Sequence, residues 1–148
     1  MKIFQKTINE YKLKKIRTDI PSAQLKSSSD VANYAKQFYF DDLEIYESMF
    51  IILLNRNNNV EGYVKISQGG TAGTVVDTKL ILKYAVDSLA HSVILVHNHP
   101  SGNVKPSDAD RNITNKTKTA LSFIDIMILD HVIITTDSHF SFSDEGII

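Results

Sequence analysis

Four consecutive apolar residues, Val93-Ile94-Leu95-Val96, run directly into His97-Asn98-His99-Pro100-Ser101-Gly102. A strand that is apolar at every position has no face to give to water, so it belongs in the middle of a sheet covered on both sides. The flanking segments read accordingly. Asp77 is placed to cap a helix whose stripe is Leu80, Ile81, Tyr84, Ala85 and Leu89. Ser107 or Asp108 opens another, with Ile113, Ala120, Leu121 and Ile124 on one face. Earlier in the chain, Asp30 starts a short helix through Val31, Tyr34, Ala35 and Phe38. Glu44 to Leu54 is a dense apolar run of strand length, and Asn55-Arg56-Asn57-Asn58-Asn59 is a turn that returns it as a second strand from Val60 to Ser67. Gly69 to Gly73 is a loop without the lysine or the spacing of a phosphate-binding fingerprint. Ile126–Leu129, Val132–Thr135 and Phe140–Phe142 supply further strand. The order predicts an α/β fold, a three-layer mixed sheet with helices on both faces.

The chain has 148 residues, 43% of them hydrophobic, which suits a single core. It contains no cysteine, which excludes thiolate catalysis, Cys-ligated zinc and iron–sulfur clusters. No apolar run reaches the roughly 18–20 residues of a membrane span. Met1-Lys2-Ile3-Phe4-Gln5 does not continue into the apolar stretch of a signal peptide. The expected location is therefore cytoplasmic, with no membrane partner. Charge is uneven. Residues 1–26 carry Lys2, Lys6, Lys12, Lys14, Lys15, Arg17 and Lys26 against Glu10 and Asp19, whereas the whole chain has a net charge of -1. Residues 1–40 read as a basic lead-in with a short helix, followed by the main domain from 41 to 148. A solvated arm is the simpler account of the basic segment, and contact with phosphate the alternative.

Chemistry concentrates between His97 and Asp110. Histidines at i and i+2 leaving a strand point to the same side and can converge on one ion. Asp110 lies eleven residues after His99, across a loop turned by Pro100, Gly102 and Pro106. Two imidazoles and a carboxylate suit Zn²⁺ with an open fourth position, where bound water has its pKa lowered to roughly 7. Taken alone, Ser107-x-x-Asp110 is a helix capping box, and the two histidines are ordinary loop residues. The combination of strand, H-x-H, seven intervening residues and S-x-x-D is what carries the reading.

The stretch from His97 to Asp110 resembles the H-x-H-x(7)-S-x-x-D signature of JAMM/MPN metalloproteases. His97-Asn98-His99-Pro100-Ser101-Gly102 and the later Leu129-Asp130-His131-Val132-Ile133 resemble the bacterial RadC-like branch. The resemblance covers about residues 45–148. It implies a sheet sandwiched by helices, similar to cytidine deaminases. It also implies His97, His99 and Asp110 as zinc ligands, Ser107 as the residue steadying an oxyanion, and an upstream glutamate as general base. Glu47 fits that last role best, just before Ser48 to Leu54, with Glu44 and Glu61 less well placed. Asp130 and His131 either orient a ligand imidazole by bonding to it from behind or form a buried polar pair bracing a strand end. His91 reads as a residue at a helix C-terminus, and His139 as surface.

The implied activity is zinc-dependent hydrolysis of amide bonds in a peptide or protein substrate, peptide or isopeptide. The rivals are a DNA-repair-associated DNA-binding protein, a metal-dependent nuclease and a non-catalytic scaffold. RadC-like chains commonly carry a helix-hairpin-helix-like segment before this domain. Residues 1–40 hold no convincing version of it, which weakens the DNA reading. Deaminase chemistry is disfavoured because the H-x-E and P-C-x-x-C elements are missing.

Overall fold

The computed structural model describes residues 7–40, 42–70 and 75–148. Gly69 and Gly70 are thus described, whereas the rest of the loop expected at Gly69–Gly73 lies outside the described residues. Strands β1 (Ser48–Leu54), β2 (Val60–Gln68), β3 (Ser92–Asn98), β4 (Met127–Ile134) and β5 (His139–Ser141) form one sheet in the order β2-β1-β3-β4-β5. β3 is the central strand, antiparallel to β1 and parallel to β4, so the sheet is mixed. All seven β3 residues are buried, as a run without a polar face requires.

The two faces of the sheet carry separate cores. Phe50, Ile52, Leu54, Ile94, Val96, Val132 and Ile134 pack with Val31, Ala32 and Ala35 of helix α1 (Ser28–Ala35) and with Phe38 and Tyr39 just after it. Met49, Ile51, Leu53, Val93, Leu95 and Ile128 face the other way, against Ile81 and Ala85 of α2 (Thr78–Asp87) and Leu121 of α3 (Asp108–Ser122). The fold is the expected α/β sandwich, and its core reaches back to Leu25 within the lead-in.

Local chemistry sets the boundaries. Ser27, not Asp30, caps α1; Asp30 is the third helical residue and completes a capping box. β1 starts at Ser48 rather than Glu44, because Ile45 and Tyr46 donate backbone N–H groups to the Asp42 carbonyl in a turn. In the hairpin, Asn55 Oδ1 accepts from the backbone N–H groups of Asn57 and Asn59, and Asn58 takes a left-handed φ of 58°. α2 ends at Asp87, so Leu89, with φ 53°, leaves the helix stripe and is 87% exposed. His91 accordingly lies past the helix end, its backbone N–H bonded to the Leu54 carbonyl. His139 is half-buried, with Nε2 3.2 Å from Ser28 Oγ.

Two segments read as separate strands, Ile126–Leu129 and Val132–Thr135, are one strand, β4, that passes through Asp130 and His131. It contains a bulge. Val93 pairs with Ile128 and Ile94 with Asp130, leaving Leu129 over. The extra residue shifts the alternation, so Ile128 and His131 both face α3 although they are three apart.

The packing gives a direct test. Ile51→Ala, at a fully buried position between β2 and β3, should lower stability by about 2–5 kcal/mol in urea unfolding. Ile8→Ala, at a position 96% exposed, should change it by about 0.5 kcal/mol or less. Equal effects would contradict the assignment of the core.

Candidate metal centre

The C-terminal end of β3, the N-terminus of α3 and the segment before β1 meet at one point. Strand alternation sends His97 toward the α3 side of the sheet. His99 follows as β3 leaves the sheet, in a turn where Gly102 donates its backbone N–H to the His99 carbonyl and takes a left-handed φ of 84°. Asp110 stands in the first turn of α3. Ser107 Oγ accepts from the Asp110 N–H, and Asp110 Oδ2 accepts from the Ser107 N–H at 2.8 Å. The capping box and the candidate ligand are thus the same carboxylate: the cap aims it.

One ligand atom from each of Glu47, His97, His99 and Asp110 lies within 4.8 Å of all the others. His97 Nε2 is 2.9 Å from His99 Nε2, 3.3 Å from Asp110 Oδ1 and 3.8 Å from Glu47 Oε1. His99 Nε2 is 3.5 Å from both carboxylates. The His97 side chain is 1% exposed, whereas those of His99, Glu47 and Asp110 are 14–17% exposed, so one imidazole forms the floor and three groups the wall. A cavity of about 200 Å³ opens beside His99, lined also by Leu43, Glu44, Pro100 and Thr136. Of the three glutamates weighed, Glu47 is the one beside the imidazoles. Glu44 accepts from Thr136 Oγ1 and Glu61 from Asn55 Nδ2.

The proton positions follow from two carbonyls, which can only accept. Thr114 Oγ1 donates to the Asp110 carbonyl at 2.6 Å, so it accepts from His131 Nδ1, also at 2.6 Å. Full burial pushes His131 well below the ordinary histidine pKa, with His97 adding to the effect, so this ring is neutral. Its Nε2 therefore accepts from His97 Nδ1 at 2.7 Å, which leaves His97 Nε2 as the nitrogen facing the site. His99 Nδ1 donates to the Asn103 carbonyl at 2.6 Å, which turns His99 Nε2 to the same point. Two nitrogen lone pairs 2.9 Å apart repel unless a cation, a proton or a metal ion, lies between them.

The surrounding charges suit that cation. Burial alone would raise Asp110, but His97 and His99, when Nε2 carries a proton, and the Ser107 N–H outweigh it and hold the carboxyl far below the usual range. Burial lowers His99, but the Asp110 hydrogen bond, the Asn103 carbonyl and the Glu47 charge raise it on balance. The donor set of two imidazoles and one or two carboxylates could hold a metal ion.

The Asp130–His131 pair divides. His131 braces His97, whereas Asp130 accepts from Ser141 Oγ and from the backbone N–H groups of Ser143 and His131, which fastens β5 and the segment after it. Thr114 was not legible as a site residue. The inward stripe of α3 is Thr114, Thr117 and Leu121: of the expected face Leu121 is buried, Ile113 and Ala120 are half-buried and Ile124 is exposed, and Thr114 takes the place nearest the site, where it bonds His131 and the Asp110 carbonyl.

The mixed sheet and the His-His-Asp-Glu cluster define a JAB/MPN-type domain with a candidate metal centre. The sequence profile of the RadC-like JAB domain matches residues 25–147, and the chain belongs to that family. It is 47% identical over 102 residues to a UPF0758 protein of Flavobacterium johnsoniae, covering 69% of this chain and 44% of the relative. It is 40% identical over 103 residues to one of Porphyromonas gingivalis, covering 69% and 45%. A third, of Chlorobaculum parvum, is 34% identical over 125 residues, covering 84% and 55%. The chain spans about half the length of the curated relatives it matches. Among the described residues, no helix is long and apolar enough to cross a membrane.

Metal uptake should be pH-dependent in a defined direction. Both Nε2 atoms must be bare to bind, and His99 holds its proton more tightly than a free histidine of pKa about 6.5. Zinc affinity measured by chelator competition should therefore weaken steadily as the pH is lowered from about 8 to 5. Affinity that stays flat over this range would place the ion on groups other than the two imidazoles.

Proposed function

We propose that this domain hydrolyses amide bonds, peptide or isopeptide, with a divalent ion, zinc by preference, held by His97, His99 and Asp110. The observation that supports this is the Glu47 carboxylate 3.5 Å from His99 Nε2 and 3.8 Å from His97 Nε2, beside the two nitrogens that face the ion site. The ion, when bound, supplies a water acidified toward neutral pH and polarises the scissile carbonyl. Glu47 takes a proton from the attacking water and returns it to the leaving nitrogen. Ser107 Oγ already accepts from the Asp110 N–H, so its own hydroxyl proton is free to donate to the developing oxyanion, a contribution of about 3–4 kcal/mol in comparable sites. His131 and Thr114 fix the orientation of His97, and the capping box fixes that of Asp110. The cavity beside His99 offers room for substrate on one side of the bond. The peptide-bond reading ranks above a nuclease because the four groups gather round room for one ion, whereas phosphodiester cleavage is more often the work of two.

Glu47→Gln separates a base from a fourth ligand. The variant should bind zinc with unchanged stoichiometry and lose hydrolysis of an amide substrate by about 100-fold or more, measured on a panel of peptides and isopeptide-linked conjugates. Loss of the metal would make Glu47 a ligand. Full turnover would remove it from the mechanism, and cleavage of DNA but of no amide in the same panel would replace the proposal with a nuclease.

A further inference from the structure

Asn98 lies between the two histidines and, by strand alternation, points to the opposite side from His97. It is fully buried. Its partners fix the orientation of the carboxamide, because each can only donate or only accept. Oδ1 accepts from the Ser48 backbone N–H at 2.8 Å, and Nδ2 donates to the carbonyls of Tyr46 at 2.7 Å and Leu43 at 2.6 Å. The Tyr46 carbonyl belongs to the peptide before Glu47 and the Ser48 N–H to the peptide after it. One side chain therefore holds both peptide units that flank the Glu47 Cα.

Two further bonds complete the hold. The Glu47 carbonyl accepts from the Gly69 N–H at 2.8 Å, and the buried Tyr39 hydroxyl donates to the Ser48 carbonyl at 3.1 Å. Glu47 itself sits ahead of β1, in a segment that has no strand ladder to position it. A carboxylate that must stand at a set distance from two imidazoles needs its backbone fixed by something else, since misplacement of about 1 Å costs a positioned group on the order of 100-fold in rate.

We propose that Asn98 is the positioning residue for Glu47: the tripeptide His97-Asn98-His99 aims two metal ligands to one side and clamps the general base's backbone on the other. Aspartate cannot replace it, because two carbonyls require a two-proton donor. Serine or threonine has a single proton to donate and so could serve only one of the two carbonyls. The inference rests on the hydrolase reading for its catalytic consequence, but the clamp itself is testable without turnover.

The experiment compares Asn98→Ala, Glu47→Gln and the wild-type chain by hydrogen–deuterium exchange, zinc titration and amide hydrolysis. In Asn98→Ala the Ser48 amide and the segment 42–47 should exchange at least about tenfold faster. Zinc affinity should stay within about threefold of wild type, and kcat should fall by about 100-fold with KM little changed. Unchanged protection at Ser48 would overturn the clamp. A loss of zinc affinity as large as that of His97→Ala, or wild-type kcat in Asn98→Ala beside an inactive Glu47→Gln, would overturn the positioning of Glu47. Absence of amide hydrolysis in the wild-type chain sinks the hydrolase reading, and full turnover in Glu47→Gln removes Glu47 as its base; in both cases the exchange data still decide the clamp. Should Asn98→Ala fail to fold, wild-type NMR decides: the two Asn98 side-chain amide protons must exchange slowly, and rapid exchange overturns the proposal.

Discussion

Two carbonyl oxygens, those of Asp110 and Asn103, govern the centre. A carbonyl accepts and never donates, so each compels the group that reaches it to carry a proton, and the constraint passes along the chain of bonds. From Asp110 it runs through Thr114 and the neutral His131 to His97; from Asn103 it reaches His99 in one step. Both chains end with an Nε2 lone pair turned to the same spot, 2.9 Å apart. Such a pair costs energy alone and gains it around a cation, with Asp110 held ionised beside it. The centre is pre-arranged by bonds formed on its outer side.

The fold supplies these bonds through small irregularities. The Leu129 bulge in β4 leaves His131 facing α3; were Leu129 paired in a regular ladder, the ring would point into the opposite core and His97 would lose its acceptor. The α3 capping box ties the helix start and the carboxylate together, so a feature that looks purely structural is also the feature that aims a candidate ligand. α3 connects β3 to β4, and Thr114 bonds His131 of β4, which in turn bonds His97 of β3, so the elements that carry Asp110 and His97 are joined into one unit. The α1 side contributes too, through Tyr39 and the clamp on Ser48.

Much of this was legible in sequence, and for physical reasons. Val93–Val96 had to be a covered central strand, and the H-x-H spacing had to put two imidazoles on one side. Ser107-x-x-Asp110 announced both a helix start and a carboxylate near it. What was hidden depended on register. A one-residue bulge leaves no mark in a run such as Ile128-Leu129-Asp130, so the separate roles of Asp130 and His131 could not be told apart. Thr114 looked like an ordinary helical threonine because its partners are a distant ring and a backbone carbonyl. The segment before β1 read as strand from Glu44 because Ile45 and Tyr46 are apolar, although the Asp42 turn wins there.

The central claim is that His97 and His99 both present a bare Nε2 to one ion. Long-range ¹H–¹⁵N correlation of the histidine side chains, with one equivalent of zinc added, reads this directly. The account predicts protonated Nδ1 in His97, His99 and His131, with the Nε2 resonances of His97 and His99 moved to metal-bound positions. A proton on Nε2 of either His97 or His99 in the zinc-loaded protein would contradict it.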